Sequence, residues 1–369
     1  MRARSSTVIR CGLAVVLIML LAFAMALASG CGGSDTTTTT GAAGETTTTG
    51  ADGETTTTGA EPGADDPEVT LSMVSFLDKS HELTQTLLDW IEAVETATNG
   101  TVKIEWKGGP EVIPPLEQIE AVRTGIVDIN ANVSAYYAQL NPAVKVLTMS
   151  PYSPTEERGN GVFEYIQREH AAIDTVYLGR WMGELPFYLF LKKEISSPDE
   201  LKGMSIRTRA NYDKFFNALG ISGVSVDHAE VYTALERGIA EGFGWTLLGV
   251  TDSDWDTKAP FMLDHGFWAA NNATILFNPD SWAKLSANQQ DAIAKATADY
   301  EKDKMVPYFV TAQEGAREKL LSRGVKFFTF SEADAEEFVA LADRVEWAAL
   351  EAEMPEKFAE VRGLFNLSD

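Results

Sequence analysis

Four histidines, at positions 81, 170, 228 and 265, are the chain's readiest general bases and metal ligands, and no two of them stand at the spacing that puts a pair on one helix face. His81-Glu82 opens as a zinc-protease string does, but the fifth residue is Gln85 and the second imidazole is missing. No Gly-x-Ser-x-Gly elbow presents a nucleophilic serine. Asp252, Asp254 and Asp256 alternate as calcium ligands do, yet an EF-hand loop wants glycine and glutamate where Thr257 and Leu263 stand. These acids read as a solvated loop, and the sequence assigns no metal and no cofactor. What remains are groups suited to non-covalent recognition, namely arginines and aromatic rings.

The stretch 201–245 concentrates such groups. A short β-branched run, Met204-Ser205-Ile206-Arg207-Thr208, is followed by an amphipathic segment, Asn211 to Leu219, that Gly220 closes. A second run covers Ser222 to Val226, and Asp227 with Glu230 gives the capping-box signature of a helix that Gly238 ends. Strand, helix, strand, helix at this spacing is α/β grammar, with successive strands expected to be parallel. A guanidinium is always charged, and its planar fork takes a carboxylate through two parallel hydrogen bonds. On local sequence alone Arg207 serves equally as an anion-binding group or as a surface arginine paired with an acid. Trp245 is likewise open between core and pocket wall.

The elements that must position this stretch follow from periodicity. Val69 to Phe76 reads as a strand, Leu83 to Thr98 as a helix with apolar residues at 83, 87, 88, 91 and 94, and Thr101 to Trp106 as a second strand. A helix over Leu116 to Thr124, stopped by Gly125, precedes a strand from Ile126 to Val133. A helix is expected over Glu156 to Glu169, a strand over Asp174 to Trp181, a turn at Gly183 to Tyr188, and a strand over Thr274 to Phe277. Ser286 and Gln289 form a capping box ahead of helical periodicity that runs to Arg323, a span of roughly 55 Å at the α-helical rise. Pro307 falls inside it and predicts a bend. Val325 to Phe330 is a strand, Ser331 caps another helix, and Glu356 to Leu364 is the last.

The net charge is −24 over 369 residues, which gives nucleic-acid binding no electrostatic support. Residues 1–30 read as a targeting segment, with Arg2, Arg4 and Arg10 ahead of the apolar stretch Gly12 to Leu27. That segment ends at Leu27-Ala28-Ser29-Gly30-Cys31, which resembles a bacterial lipobox and implies lipidation of Cys31. The only other cysteine, Cys11, lies in the segment removed, so the exported chain is expected to form no internal disulfide. Residues 31–67 are Thr/Gly-rich, with Gly-Glu-Thr-Thr-Thr-Thr-Gly recurring at Gly44 and Gly53. Such a segment cannot bury enough apolar surface to order itself and reads as a disordered tether spanning roughly 30 Å.

Leu201-Lys202-Gly203 with Ile206-Arg207, the run Glu230-Val231-Tyr232-Thr233-Ala234-Leu235, and Gly238 leading to Gly242 resemble the solute-binding proteins of tripartite ATP-independent periplasmic (TRAP) transporters. The resemblance covers Val69 to about Phe330. It implies an α/β, two-lobed periplasmic-binding-protein-like fold with a cleft between the lobes and a long helix spanning both. Residues 69–185 plus 271–310 would form lobe I, and 186–270 plus 311–369 lobe II. By position Arg207 is the family arginine that pairs with a ligand carboxylate. Tyr136 and Tyr137 fall where members line the cleft with tyrosines, and Phe187 or Tyr188 stands where many place a second arginine. Trp268, in the segment Phe261 to Asn272, is a further residue able to reach the cleft. Many members have Gln-Glu-Asn where this chain has Phe243-Gly244-Trp245, which replaces an amide and an acid by an indole and weakens any case for a metal in the site.

The implied function is extracytoplasmic capture of a small organic acid, a monocarboxylate with an apolar or aromatic body, for delivery to membrane permease subunits. The protein would be held to the outer face of the cytoplasmic membrane by its lipid. Two other classes fit the same elements: a ligand-sensing lobe of a signalling receptor, and an exported enzyme with a dispersed active site.

Overall fold

Strands β1 (Val69–Ser75), β2 (Val102–Gly108) and β3 (Ile129–Val133) are joined through α1 (Gln85–Ala97) and α2 (Gln118–Arg123), and β1 pairs in parallel with both β2 and β3. The computed structural model describes residues 66–209 and 212–367. The leader, Cys31 and all but the last two residues of the tether lie outside the described residues. Strand β2 alternates buried and exposed positions along its length, whereas every residue of β3 is buried, as befits an edge and an interior strand.

Helices α3 (Val146–Met149), α4 (Pro154–Asn160) and α5 (Val162–Ala171) lead into β4 (Val176–Leu191). The single helix expected over 156–169 is two, broken at Gly161, whose φ of +90° no side chain tolerates well. There follow β5 (Ser205–Thr208), α6 (Asp213–Ala218), β6 (Ser222–Ser225), α7 (Val231–Glu236), β7 (Gly242–Trp245) and β8 (Phe261–Phe277). Strand β5 is parallel to β6 on one side and β7 on the other, as its βαβ pattern predicts. The capping box expected at Asp227 does not form. Its carboxylate pairs with Arg209, and residues His228–Glu230 make a 3₁₀ turn ahead of α7.

The sheet runs β2-β1-β3-β8-β4-β7-β5-β6. Strands β4 and β8 are the long strands at the centre of this sheet, pairing antiparallel over most of their length with repeated register shifts. The turn expected at 183–188 is therefore strand, as is the segment 261–272. Bulges bend a strand without ending it, and Glu184 and Trp268 sit at φ +57° and +63° along these two strands.

Helix α8 (Pro279–Ala283) precedes α9 (Ala287–Tyr300) and α10 (Val306–Ser322), with a π-helical turn, Glu301–Met305, between them. Pro307 lies in the first turn of α10, where its missing N–H is least costly, and the wider π turn absorbs the distortion expected of it. Helix α9 packs on α1, and Arg317 of α10 pairs with Asp264 on β8. Strand β9 (Lys326–Phe328) adds to β8, and α11 (Glu332–Glu353) and α12 (Pro355–Phe365) finish the chain.

Three apolar clusters hold the body. Leu71, Leu87, Trp90, Ile293 and Phe309 centre the first; Val122, Val146, Tyr165 and Phe358 the second; Ile206, Phe215, Phe267 and Phe338 the third. Leu88, expected on the inner face of α1, is exposed, and Trp90 is buried in its stead. The acids at 252, 254 and 256 are not a free loop either: Lys319 pairs with Asp252, and Arg323 with Asp254 and Asp256. Among the described residues no helix is long and apolar enough to cross a membrane.

Candidate ligand-binding site

Arg207 lies in β5 opposite Val224 of β6 and Phe243 of β7, so it enters the molecule from an interior strand and is only 1% exposed. Its Nη1 donates to the Tyr212 hydroxyl at 2.7 Å, and that hydroxyl donates to the Gly244 carbonyl at 3.1 Å. Burial pushes the Tyr212 phenol upward, partly offset by Arg207, so the hydroxyl stays a neutral relay. The Arg207 guanidinium carbon stands 5.5 Å from the Trp245 ring. Its Nε is buried without a hydrogen-bond partner, and no carboxylate pairs with it among the described residues. The other buried arginine among the described residues, Arg180, is salt-bridged to Glu157.

A cavity of about 40 Å3 opens on this guanidinium. Arg207 and Arg209 give it positive charge, and Phe76, Tyr136, Phe187, Tyr212 and Trp245 give it aromatic walls. Phe76 follows β1 and Tyr136 follows β3, whereas Phe187, Arg207 and Trp245 lie on β4, β5 and β7 and Tyr212 just before α6. Arg209 is salt-bridged to Asp227 at 2.8 Å, leaving Arg207 as the uncompensated cation. A Cβ at Gly244 would lie 3.3 Å from the Phe216 and Phe267 rings and 3.4 Å from Tyr212, so the glycine that replaces an acid here also makes room for the aromatic stack behind the cavity.

Of the residues singled out from sequence, Arg207, Trp245, Phe187 and Tyr136 meet at this cavity. Three do not line it. The Tyr137 hydroxyl is buried between His170 Nε2 (3.0 Å) and Thr274 Oγ1 (2.9 Å), where burial pushes its pKa up. Tyr188 stands beside the Arg317–Asp264 pair. Trp268 packs one layer back, against Phe187 and Tyr212 at ring distances of 5.9 and 5.8 Å. Phe76, Arg209 and Tyr212 line the cavity without having been singled out. Arg209 stands two residues after Arg207, and side chains two apart along an extended chain share a face, which was the available signal.

At the rim His228 packs on Trp245 and on His81, with ring centroids 5.3 and 5.9 Å away. Burial, then His81, Arg207 and Arg209, push His228 down to about 4, so it is neutral at physiological pH. The Tyr136 phenol is pushed up by burial against the pull of both arginines. Among the described residues no three His, Cys, Asp or Glu side chains cluster as metal ligands.

A small cavity walled by aromatic rings, beside long paired strands and a long helix, is suited to holding a small solute. The chain belongs to the bacterial extracellular solute-binding proteins, family 7, which it matches over residues 73–351. It is 25% identical over 249 residues to a monocarboxylate 2-oxoacid-binding periplasmic protein of Nostoc sp., covering 65% of this chain and 68% of that one. Its fold is similar to that of a TRAP periplasmic solute-binding protein from Desulfovibrio salexigens with bound orotic acid, at a TM-score of 0.72 and 20% identity over 80% of this chain and 97% of that one. A Desulfovibrio desulfuricans TRAP protein with bound sn-glycerol-3-phosphate is equally near in fold, at a TM-score of 0.72 and 19% identity over 82% and 98%. The protein is thus a TRAP-type solute-binding protein, of a kind that binds small ligands and works with membrane permease subunits.

Proposed function

We propose that this protein captures a small organic acid, a monocarboxylate with an apolar or aromatic body, by pairing its carboxylate with Arg207. The observation that carries this reading is a guanidinium 1% exposed with no carboxylate beside it and its Nε unpartnered. An isolated buried charge is costly, and a cation left unpaired in a cavity is suited to an anion that comes and goes. The ligand enters the open cleft between lobe I (69–185 plus 271–310) and lobe II (186–270 plus 311–369). Its carboxylate meets Arg207 and its body lies against Trp245 and Phe187. Closure is a population shift, driven only by how much better the closed form binds the ligand. The closed protein then presents its solute to the permease, with Cys31 as the lipidated anchor and residues 31–67 as the tether. Acidic ligands in the named relatives, a 2-oxoacid, orotic acid and a phosphate ester, support an anion as the captured group.

The test is thermal unfolding of the purified protein and of Arg207→Ala against monocarboxylates, dicarboxylates, aromatic acids, sugars and amino acids. A class of acid should raise the midpoint of the wild type and not of the variant. A neutral solute that stabilises both equally, with acids inert, overturns the reading.

A further inference from the structure

The arginine cavity has room for only a few water-sized volumes, since about 10–15 Å3 of such space holds one, and a carboxylate nearly fills it. A ligand body that begins against Trp245 and Phe187 must, in a longer acid, continue beyond this cavity. A second cavity of about 260 Å3 adjoins it, and the two share Ser134, Ala135 and Thr148 in their walls. Ser134 Oγ and Thr148 Oγ1 stand 3.5 Å apart in the wall that the two cavities share, which is polar at that point.

The second cavity has two characters. Ala135, Ala138, Pro142 and Met149 make one side apolar. The other carries Lys145, from the turn before α3 in the first lobe, and Lys214 of α6 in the second, both paired with Glu353 at the end of α11. Glu346 completes it, buried, accepting the Phe215 N–H at 3.3 Å. Burial raises this carboxyl to about 7, so much of it is neutral at neutral pH. Both lysines are already paired with Glu353, so neither offers an uncompensated charge to an occupant. An anionic group here would face Glu353 and a cationic one the lysines, whereas a neutral hydroxyl or amide finds donors and acceptors with neither penalty.

Resting on the proposed pairing of carboxylate with Arg207, we propose that the second cavity is the subsite for the far end of the ligand. The solute is then an elongated acid with its carboxylate at Arg207, an apolar middle against Ala135 and Ala138, and a neutral hydrogen-bonding tip among Lys145, Lys214 and Glu346. The Lys145–Glu353–Lys214 bridge ties elements of both lobes over this end, so an occupant there is enclosed by closure.

The experiment is calorimetric titration of the purified protein with propionate, butyrate, hexanoate, 6-hydroxyhexanoate, adipate and 6-aminohexanoate. Affinity should climb with length by up to about fourfold per buried methylene, and 6-hydroxyhexanoate should bind tighter than either charged-tip acid. Ala138→Leu, which fills the second cavity, should weaken the six-carbon acids tenfold or more and leave propionate unchanged. Equal affinity across lengths, a charged tip binding best, or an equal loss for short and long acids in Ala138→Leu would each overturn the subsite. If that variant does not fold, the wild-type series alone decides. Failure of the underlying pairing looks different: short acids would not bind, or would bind Arg207→Met as tightly as the wild type.

Discussion

Replacing Arg207 by methionine should separate ligand capture from folding. The side chain is buried in the second lobe, makes one hydrogen bond to Tyr212 and has no carboxylate partner. Tyr212 keeps its acceptor, the Gly244 carbonyl, when the guanidinium is gone. Methionine fills much of the same volume and removes a desolvated charge, a change that elsewhere is often neutral or stabilising by about 1–4 kcal/mol. The unliganded variant should therefore melt no lower than the wild type, and up to several degrees higher, at roughly 2 °C per kcal/mol for a chain of this size. Removing one partner of a desolvated charge pair costs about 2–5 kcal/mol in binding, so affinity for the acid should fall by about 30-fold to several thousand-fold. Arg209 stays in the cavity, salt-bridged to Asp227, and keeps a residual attraction for anions. Thermal unfolding gives the first quantity and calorimetric titration the second. A variant that melts many degrees lower while binding its acid undiminished would refute the reasoning, because Arg207 would then be structural.

Trp245→Ala removes the ring, lining the arginine cavity, against which the ligand's body is proposed to lie; at about 0.5–1.5 kcal/mol for a contact with an aromatic face, affinity should drop roughly twofold to tenfold by titration, with Trp245→Phe between the two. His170, buried and pushed down to about 4 against an unfolded value near 6.5, takes up its proton in the unfolded chain first. Stability should accordingly fall as pH drops from 6.5 towards 4, by up to roughly 3 kcal/mol, and His170→Gln should flatten that slope in urea midpoints measured across the range. Glu346, raised to about 7, acts in the opposite sense: its contribution is present below about pH 4.5 and lost as pH rises through 7, and Glu346→Gln should abolish that loss. Gly179→Ala would place a Cβ 2.5 Å from Glu301 Oε1 and 2.9 Å from Arg158 Nη2, so urea unfolding should show a loss of about 1–3 kcal/mol; an unchanged midpoint would mean that the Arg158–Glu301 pair is free to move.

What local pattern governs was readable in the chain. Strands β1 to β3 and the β5–α6–β6 unit follow their alternation and turn residues. Ser286 caps α9 with Gln289 replying, and Ser331 accepts the Asp334 N–H. The long strands β4 and β8 were not readable, because Gly183, Pro186 and Gly266 interrupt their alternation and only pairing with each other carries them through. The acids at 252–256 looked solvated because their partners, Lys319 and Arg323, stand 67 residues along the chain. At the cavity, Arg207, Trp245, Phe187 and Tyr136 were singled out by their positions in the family resemblance, and local pattern alone left Arg207 and Trp245 undecided. Tyr212 was out of reach, since its value lies in a hydroxyl held between Arg207 and the Gly244 carbonyl, a contact that exists only once β5 and β7 are side by side and the turn before α6 folds onto them.

A crystal structure of the protein with the acid that binds it most tightly tests the central claim most directly. The expected result is a carboxylate within hydrogen-bonding distance, about 2.7–2.9 Å, of the Arg207 guanidinium, with Trp245 and Phe187 against the ligand's body. A ligand seated in the cleft with its carboxylate on other groups, and Arg207 still bound only to Tyr212, would contradict it.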